Sequence, residues 1–266
     1  MKRGLGRQES QLLAYLQMRG QRVVRTGELR GPLRLSVLQE RELFRRMAKG
    51  RVIARVRPGL YLVPDSLPLG GSWSPDEALA LETLMADRNG RYQICGPNAF
   101  NRYGFDRQIP NRTYAYNDRL SGSRTVGAVA LTLIKVAMER LGDTEEAAPQ
   151  TGQGAIYSSR PRTLVDAVYD WARFDSLPRG YRWIRSELAG GRVLPAELVR
   201  ITVRYGDVGT IRRVGALLDR EGADATLLRR LERALKPSTA LIPWIPTKSR
   251  RGVALKRWGV IWNEAG

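Results

Sequence analysis

Residues 36–64 contain the feature that most constrains this chain, a capped basic helix that leads directly into a short hairpin. Ser36 can begin the helix, and Gln39 follows three residues later, which is the spacing of a capping box. Gly50 ends the helix. The apolar side of this helix is formed by Val37, Leu43, Phe44 and Met47. Because its other faces are rich in arginine, the pattern predicts an amphipathic helix with a basic outer surface.

The hairpin is predicted from two β-prone runs, 52–56 and 60–63. Arg-Pro-Gly at 57–59 joins the two runs as a turn, and Pro64 ends the second. Arginines stand in the first run and at its tip, at positions 55 and 57. A basic hairpin directly after a basic helix indicates a wing.

Two further helices are predicted before this pair. Leucines at helical spacing within 10–19 predict an amphipathic helix that Gly20 ends. Thr26 can cap a short second helix through Arg30, before Gly31-Pro32 breaks it. The order of helix, short helix, capped basic helix and hairpin is that of a winged helix-turn-helix.

The charge distribution indicates a polyanionic partner. The chain carries a net charge of +19, and residues 1–63 contain fifteen Lys and Arg against four acidic residues, a net charge of +11. More than half of the net charge therefore lies in less than a quarter of the chain. Such a concentration favours nucleic acid, and double-stranded DNA in particular for this order of elements.

We expect the basic helix to enter the major groove with its N-terminus first. Side chains near the helix start would then contact bases or phosphates, and those of the hairpin would reach a phosphate or the minor groove. The predicted DNA-binding residues are Arg34, Ser36, Gln39, Arg41, Arg45, Arg55 and Arg57. Two other interpretations stay open: a small helical domain with a solvated basic face, and a winged helix that binds protein.

Several classes of function are disfavoured by composition. The chain has one cysteine, Cys95, and no histidine, so an intrachain disulfide, a zinc site of the usual ligands and a Ser/His or Cys/His nucleophile pair are all excluded. We therefore expect no enzyme activity, no metal and no cofactor. No run of eighteen apolar residues and no secretory leader are found, so a cytoplasmic protein without a membrane partner is expected.

The rest of the chain predicts an α+β protein with further segments. Residues 64–74 are rich in Pro, Gly and Ser and predict a linker, after which Ser74 should cap a helix. We predict a DNA-binding domain at 1–68 and a C-terminal domain at 69–266. The latter divides into an α/β segment at 69–158 and a mainly helical bundle at 159–266. The polar stretch 142–154 predicts a mobile loop.

Four ordered segments carry a resemblance to a known family. The first is Leu-Phe-Arg-Arg-Met at 43–47, with Arg-Val-Arg-Pro-Gly-Leu-Tyr at 55–61. The second is Cys-Gly-Pro-Asn-Ala-Phe at 95–100, followed by Tyr-Gly-Phe and Gln-Ile-Pro at 103–105 and 108–110. The remaining two are Arg-Thr-Leu-Val-Asp at 162–166 and Trp-Gly-Val-Ile-Trp-Asn at 258–263. Together these segments resemble the AbiEi-type antitoxins of type IV toxin–antitoxin systems, although Tyr103 stands where that family has histidine.

The resemblance implies an N-terminal domain that binds inverted repeats of operator DNA and represses its own operon. It also implies that the C-terminal domain counteracts a cognate AbiEii-type nucleotidyltransferase toxin, by a mechanism that the sequence leaves open. The alternative is a winged-helix transcriptional regulator whose C-terminal domain dimerises or senses an effector. A nucleic-acid-processing enzyme is a third class, disfavoured by the missing metal and acid–base residues.

Overall fold

The computed structural model describes residues 5–67, 71–148 and 154–264. It contains both helices and strands, which confirms the predicted α+β class. The chain forms two compact units. The first consists of Met1–Tyr92, Asn111–Val136 and Ala147–Ala155, and the second of Gln93–Pro110, Ala137–Glu146 and Ile156–Gly266. Residues 69–92 thus belong to the same unit as the N-terminal segment.

The helices and the strands are each numbered in chain order. The helices are α1 (Arg7–Met18), α2 (Val37–Lys49), α3 (Glu77–Ala86), α4 (Pro97–Arg102), α5 (Arg160–Tyr169), α6 (Trp171–Phe174), α7 (Arg179–Ala189), α8 (Pro195–Tyr205), α9 (Val208–Arg220) and α10 (Ala225–Arg233). The strands are β1 (Val23–Arg25), β2 (Ala54–Arg57), β3 (Leu60–Leu62), β4 (Tyr92–Ile94), β5 (Thr113–Asn117), β6 (Gly122–Val126), β7 (Val129–Lys135), β8 (Thr144–Ala147), β9 (Ala155–Ser158), β10 (Ile242–Pro243), β11 (Val253–Leu255) and β12 (Val260–Trp262).

The N-terminal segment of the first unit has its own core. Leucines of α1 pack against the apolar side of α2, and both helices cover a small antiparallel sheet in the order β1–β3–β2. The ring of Phe44 on α2 stacks on Tyr61 of β3 with centroids 4.6 Å apart. The expected inward position of Val37 is wrong, because this side chain lies in the first turn of α2 and is 44% exposed.

The predicted second helix is absent from the described residues of this segment. Residues 26–34 form a series of turns instead, and Gly27 adopts a φ of +110°, which no α-helix accommodates. Strand β1 was also not predicted from the sequence. It pairs with β3 through Val24 opposite Tyr61. The central strand of this sheet is therefore β3, with β1 and β2 on its two sides.

The remaining part of the first unit is built around β7. Strand β5 runs parallel to β7 and β6 antiparallel to it, with Thr113 opposite Leu131 and Ser123 opposite Thr132. The predicted cap at Ser74 is wrong. Asp76 caps α3 by accepting from the Leu79 N–H at 2.7 Å, whereas the Ser74 hydroxyl accepts from the N–H of Ala128 at 2.8 Å.

The second unit has a larger apolar core. It is formed by α5, α7, α8 and α9 together with Trp244 and Trp258 from the C-terminal segment. Strand β12 lies between β10, which is parallel to it, and β11, which is antiparallel. The predicted loop at 142–154 is wrong in part: β8 occupies 144–147, and residues 149–153 lie outside the described part. Among the described helices, none is long and apolar enough to cross a membrane.

Candidate nucleic-acid interface

The start of α2 is fixed by a reciprocal cap. The Ser36 hydroxyl accepts from the Gln39 N–H at 3.2 Å, and the Gln39 side-chain oxygen accepts from the Ser36 N–H at 2.8 Å. Both residues are exposed. Since the cap uses only acceptor atoms, the hydroxyl hydrogen of Ser36 and the amide group of Gln39 still can donate outward. The cap predicted from sequence is confirmed, and it orients two of the predicted contact residues.

A basic stripe runs along the outer face of α2. We define the outer stripe as Leu38, Arg41, Arg45 and Lys49, whose spacing of three or four residues places them on one face of the helix. Leu38 is 78% exposed. Within the described part of the chain, the side chains of Arg41 and Lys49 form no ion pair, so their charges face solvent. The stripe therefore offers cations and one apolar group to a partner.

Arg45 differs from the other cations of the outer stripe because it has an acidic neighbour. Its guanidinium donates to both carboxylate oxygens of Glu42, at 2.9 and 2.7 Å. The hydrogen bonds from Arg45 lower the pKa of Glu42. Both groups are on the surface, where such a pair contributes little to stability and exchanges easily with another anion. Arg34, also predicted as a contact, is exposed and adopts a positive φ just before the cap.

A buried carboxylate, unforeseen from the sequence, holds the turns that precede α2. Glu40 is fully buried on the inner face of the helix. It accepts from the N–H of Gly27 at 3.0 and 2.9 Å, from the N–H of Leu29 at 3.2 Å, and from Nε of Arg30 at 3.1 Å. In a helix capped at Thr26 these N–H groups would lie in the first turn, where the helix itself offers no backbone acceptor, and the buried carboxylate supplies one instead. The turns therefore take the place of the predicted second helix.

The two predicted arginines of the hairpin have different environments. Arg55 is exposed on β2 and forms no ion pair among the described residues. Arg57 instead donates two hydrogen bonds of 2.6 Å to Asp87, which follows α3. Arg25 of β1 donates to the same carboxylate at 3.1 Å. The hydrogen bonds from Arg57, with a smaller contribution from Arg25, lower the pKa of Asp87 to about 2.

The Asp87 carboxylate thus shares its charge with Arg25 and Arg57, and at 3.7 Å with Arg88, and its side chain is only 4% exposed. Without any partner molecule, the charge of Arg57 is already neutralised by Asp87, whereas the charge of Arg55 is not. Nothing in residues 52–64 signals this pairing, because Asp87 is thirty residues away from Arg57 in sequence. The assignment of Arg57 to DNA stays a prediction, and Arg55 is the hairpin cation that is open to a partner.

The second unit contains a buried ionic network within the segment Arg-Thr-Leu-Val-Asp. Arg162 and Asp166 are both fully buried and lie 2.9 Å apart on successive turns of α5. Arg162 also donates to the carbonyls of Gly142 and Arg140, and Arg140 donates to Asp166 at 3.0 Å. The guanidinium of Arg162 stacks over the ring of Tyr205. These contacts give the segment a structural role.

The metal-ligating residue types and the single cysteine are the remaining groups of chemical interest. No group of three or more His, Cys, Asp or Glu side chains there is arranged to hold a metal ion. Cys95 is fully buried, as expected for a small packing residue.

Comparisons with known proteins bear on the fold. No model of a known protein family matches the chain, and a search of curated protein sequences also finds no match. Among solved structures, the chain is similar to the crystal structure of the RV2827C protein from Mycobacterium tuberculosis, with a TM-score of 0.61. The match covers 97% of this chain and 92% of that chain at 18% sequence identity. At this identity the similarity concerns the fold alone.

Proposed function

We propose that residues 7–64 form a winged helix-turn-helix that binds operator DNA and represses the operon encoding this protein. In this proposal α2 enters the major groove from its capped N-terminus, and the hairpin of β2 and β3 is the wing. The observation that carries it is the outer stripe of α2, where the cations Arg41 and Lys49 face solvent beside an exposed Leu38. Arginine can bond guanine edges, and an apolar group can contact the methyl group of thymine.

The proposal extends to a second activity through the AbiEi resemblance. We propose that the C-terminal part, including a bundle formed by α5–α10, counteracts a nucleotidyltransferase toxin encoded beside this gene. The support is the resemblance of residues 95–110, 162–166 and 258–263 to that family. No catalytic step is assigned to this chain.

A salt titration tests the electrostatic part of the proposal. Each phosphate that a protein contacts releases condensed counterions, with a log–log slope near −0.9 per phosphate. With about four to eight phosphates contacted, the slope for duplex DNA should be between about −4 and −7. Fluorescence anisotropy of a labelled duplex from the region upstream of the gene measures it. An affinity that does not change with salt concentration would show that the outer stripe does not contact a polyanion.

Replacement of Arg41 separates base reading from general attraction. Arg41→Ala should weaken operator binding by roughly 1–3 kcal/mol and weaken binding to random DNA much less, because a base contact is lost. Arg230→Ala is the matched control, since it removes the same charge from an exposed position on α10. A reporter for repression and a growth assay with the toxin should show Arg41→Ala losing repression while protection persists. Equal losses on operator and random DNA would contradict α2 as the reading helix.

A further inference from the structure

The first unit contains a cleft that shares Lys49 and Arg55 with the proposed DNA contacts and adds a third cation, Arg51, and the indole of Trp73. Its volume is about 530 Å³, and it lies where the end of α2, the strand β2, the segment 72–74 and the turn after β6 come together. The polar and aromatic residues that line it are Lys49, Arg51, Arg55, Ser72, Trp73, Ser74 and Thr125. This volume is in the range of small-molecule sites.

The charge of the cleft favours an anion. Three cations line it, and none of the lining residues is acidic. Within residues 5–67 and 71–148, the side chains of Lys49, Arg51 and Arg55 form no ion pair. In the N-terminal segment, carboxylate partners are present for Arg22, Arg25, Arg30, Arg45, Arg46 and Arg57, whereas Arg41, like the three cations of the cleft, forms no ion pair among the described residues. Three like charges around one cavity repel each other, and a multivalent anion relieves that repulsion.

Trp73 gives the cleft an aromatic surface. The other tryptophans of the chain belong to the core of the second unit or pack against it, whereas Trp73 is in neither described core. Its backbone N–H donates to the carbonyl of Arg51 at 2.7 Å, which fixes the residue beside the cations. Arginines lie over the rings of Trp183, Trp258 and Trp262, but among the described residues none lies over Trp73. A half-buried indole of this kind is a stacking surface for a planar ring.

We propose that this cleft binds a mononucleotide. Lys49, Arg51 and Arg55 hold its phosphates, and the indole of Trp73 stacks on its base. The hydroxyls of Ser72 and Thr125 are available to the sugar. Lys49 is shared with the outer stripe and Arg55 with the proposed wing, but ligand binding does not require DNA, so the two proposals can fail separately.

Calorimetric titration of the full chain with ATP and with GTP tests the proposal. We expect saturable binding of at least one of them, weakened about tenfold or more by Arg51→Gln and by Lys49→Gln, because each removes a charge-assisted contact to phosphate. Trp73→Ala should weaken binding about tenfold through lost stacking. Arg124→Ala is the matched control. Arg124 precedes Thr125 on β6, so its side chain is on the opposite face of the strand, and its loss should leave the affinity unchanged.

Four results would overturn the proposal, provided that circular dichroism shows each variant folded. The first is no binding of either nucleotide at millimolar concentration. The second is an equal loss of nucleotide affinity in Arg124→Ala and Arg51→Gln, which would indicate general electrostatic attraction rather than a defined binding site. The third is equal affinity for sodium tripolyphosphate and ATP, which removes the role of the base. The fourth is a loss of duplex DNA binding in Arg51→Gln with ATP binding unchanged, which would assign the cleft to DNA.

Discussion

The free energy of unfolding of the second unit should fall by about 3–5 kcal/mol in the variant Asp166→Asn. Asp166 is fully buried and is the carboxylate that Arg162 and Arg140 share. The substitution leaves two guanidinium groups in a low-dielectric interior without the anion that balances them. The cost of an uncompensated buried charge is what makes the expected effect large.

Replacement of Arg162, the ion-pair partner of Asp166, should lower the free energy of unfolding by a smaller amount. In Arg162→Met the carboxylate keeps the hydrogen bond from Arg140, so one ion pair remains after the change. The carbonyls of Gly142 and Arg140 each lose a donor, which still destabilises the unit. The ordering of the two variants therefore distinguishes a charge-balancing network from simple packing, for which the loss of the larger Arg162 side chain would cost more.

Urea unfolding followed by tryptophan fluorescence measures both effects, because most tryptophans report on the core of the second unit. Glu139→Gln is the control. It removes a negative charge from an exposed position beside Arg140, and a surface change of this kind should stay within about 0.5 kcal/mol. An Asp166→Asn loss no larger than the Glu139→Gln loss would contradict the account of the network.

Glu40→Gln should produce the second large effect, a loss of about 2–4 kcal/mol in the N-terminal segment. The carboxylate accepts from two backbone amides and from Arg30. A glutamine side chain has only one oxygen that can accept these hydrogen bonds. Its amide N–H groups would point at donors that now bond the second carboxylate oxygen. Buried N–H groups of Gly27 and Leu29 would then lack partners, and the charge that balances Arg30 would be gone.

Glu42→Gln is a close control for this change, because it stands two residues along the same helix and pairs with Arg45 on the surface. Its effect should be much smaller than that of Glu40→Gln, because an exposed ion pair contributes little to stability. Amide hydrogen exchange gives the direct readout: Gly27 and Leu29 should lose protection in Glu40→Gln and keep it in Glu42→Gln. Unchanged protection at both amides would show that Glu40 does not hold the turns.

Local sequence signals correctly predicted α2 and the hairpin that follows it. The helix expected between Ser36 and Gly50 is α2 with those two caps, because the capping box and the terminal glycine act over a few residues. The two β-prone runs expected at 52–56 and 60–63 likewise form the paired strands β2 and β3, because the Arg-Pro-Gly turn between them is a strong local signal.

Long-range contacts explain what the sequence did not predict. Glu40 is a charged residue inside an amphipathic pattern, and its burial depends on turns that begin thirteen residues earlier. The sequence pattern assigned no partner to Asp87 and a wrong one to Ser74, because their actual partners, Arg57 and Ala128, are thirty and fifty-four residues away from them. For the candidate interface, the sequence predicts the contact residues, and tertiary pairing decides which of the predicted residues are neutralised.

The Asp87 carboxylate acts as an internal substitute for a phosphate. It occupies the guanidinium fork of Arg57, which is the geometry that a phosphodiester oxygen would need. A phosphate that approached Arg57 would have to displace a carboxylate that protonation cannot remove near neutral pH, because its pKa is about 2. If DNA binds as proposed, the affinity gained at Arg57 is reduced by the ion pair that must open. The pair with Asp87 holds the hairpin of β2 and β3 in a set orientation, and the cations open to a polyanion are those that have no such internal competitor.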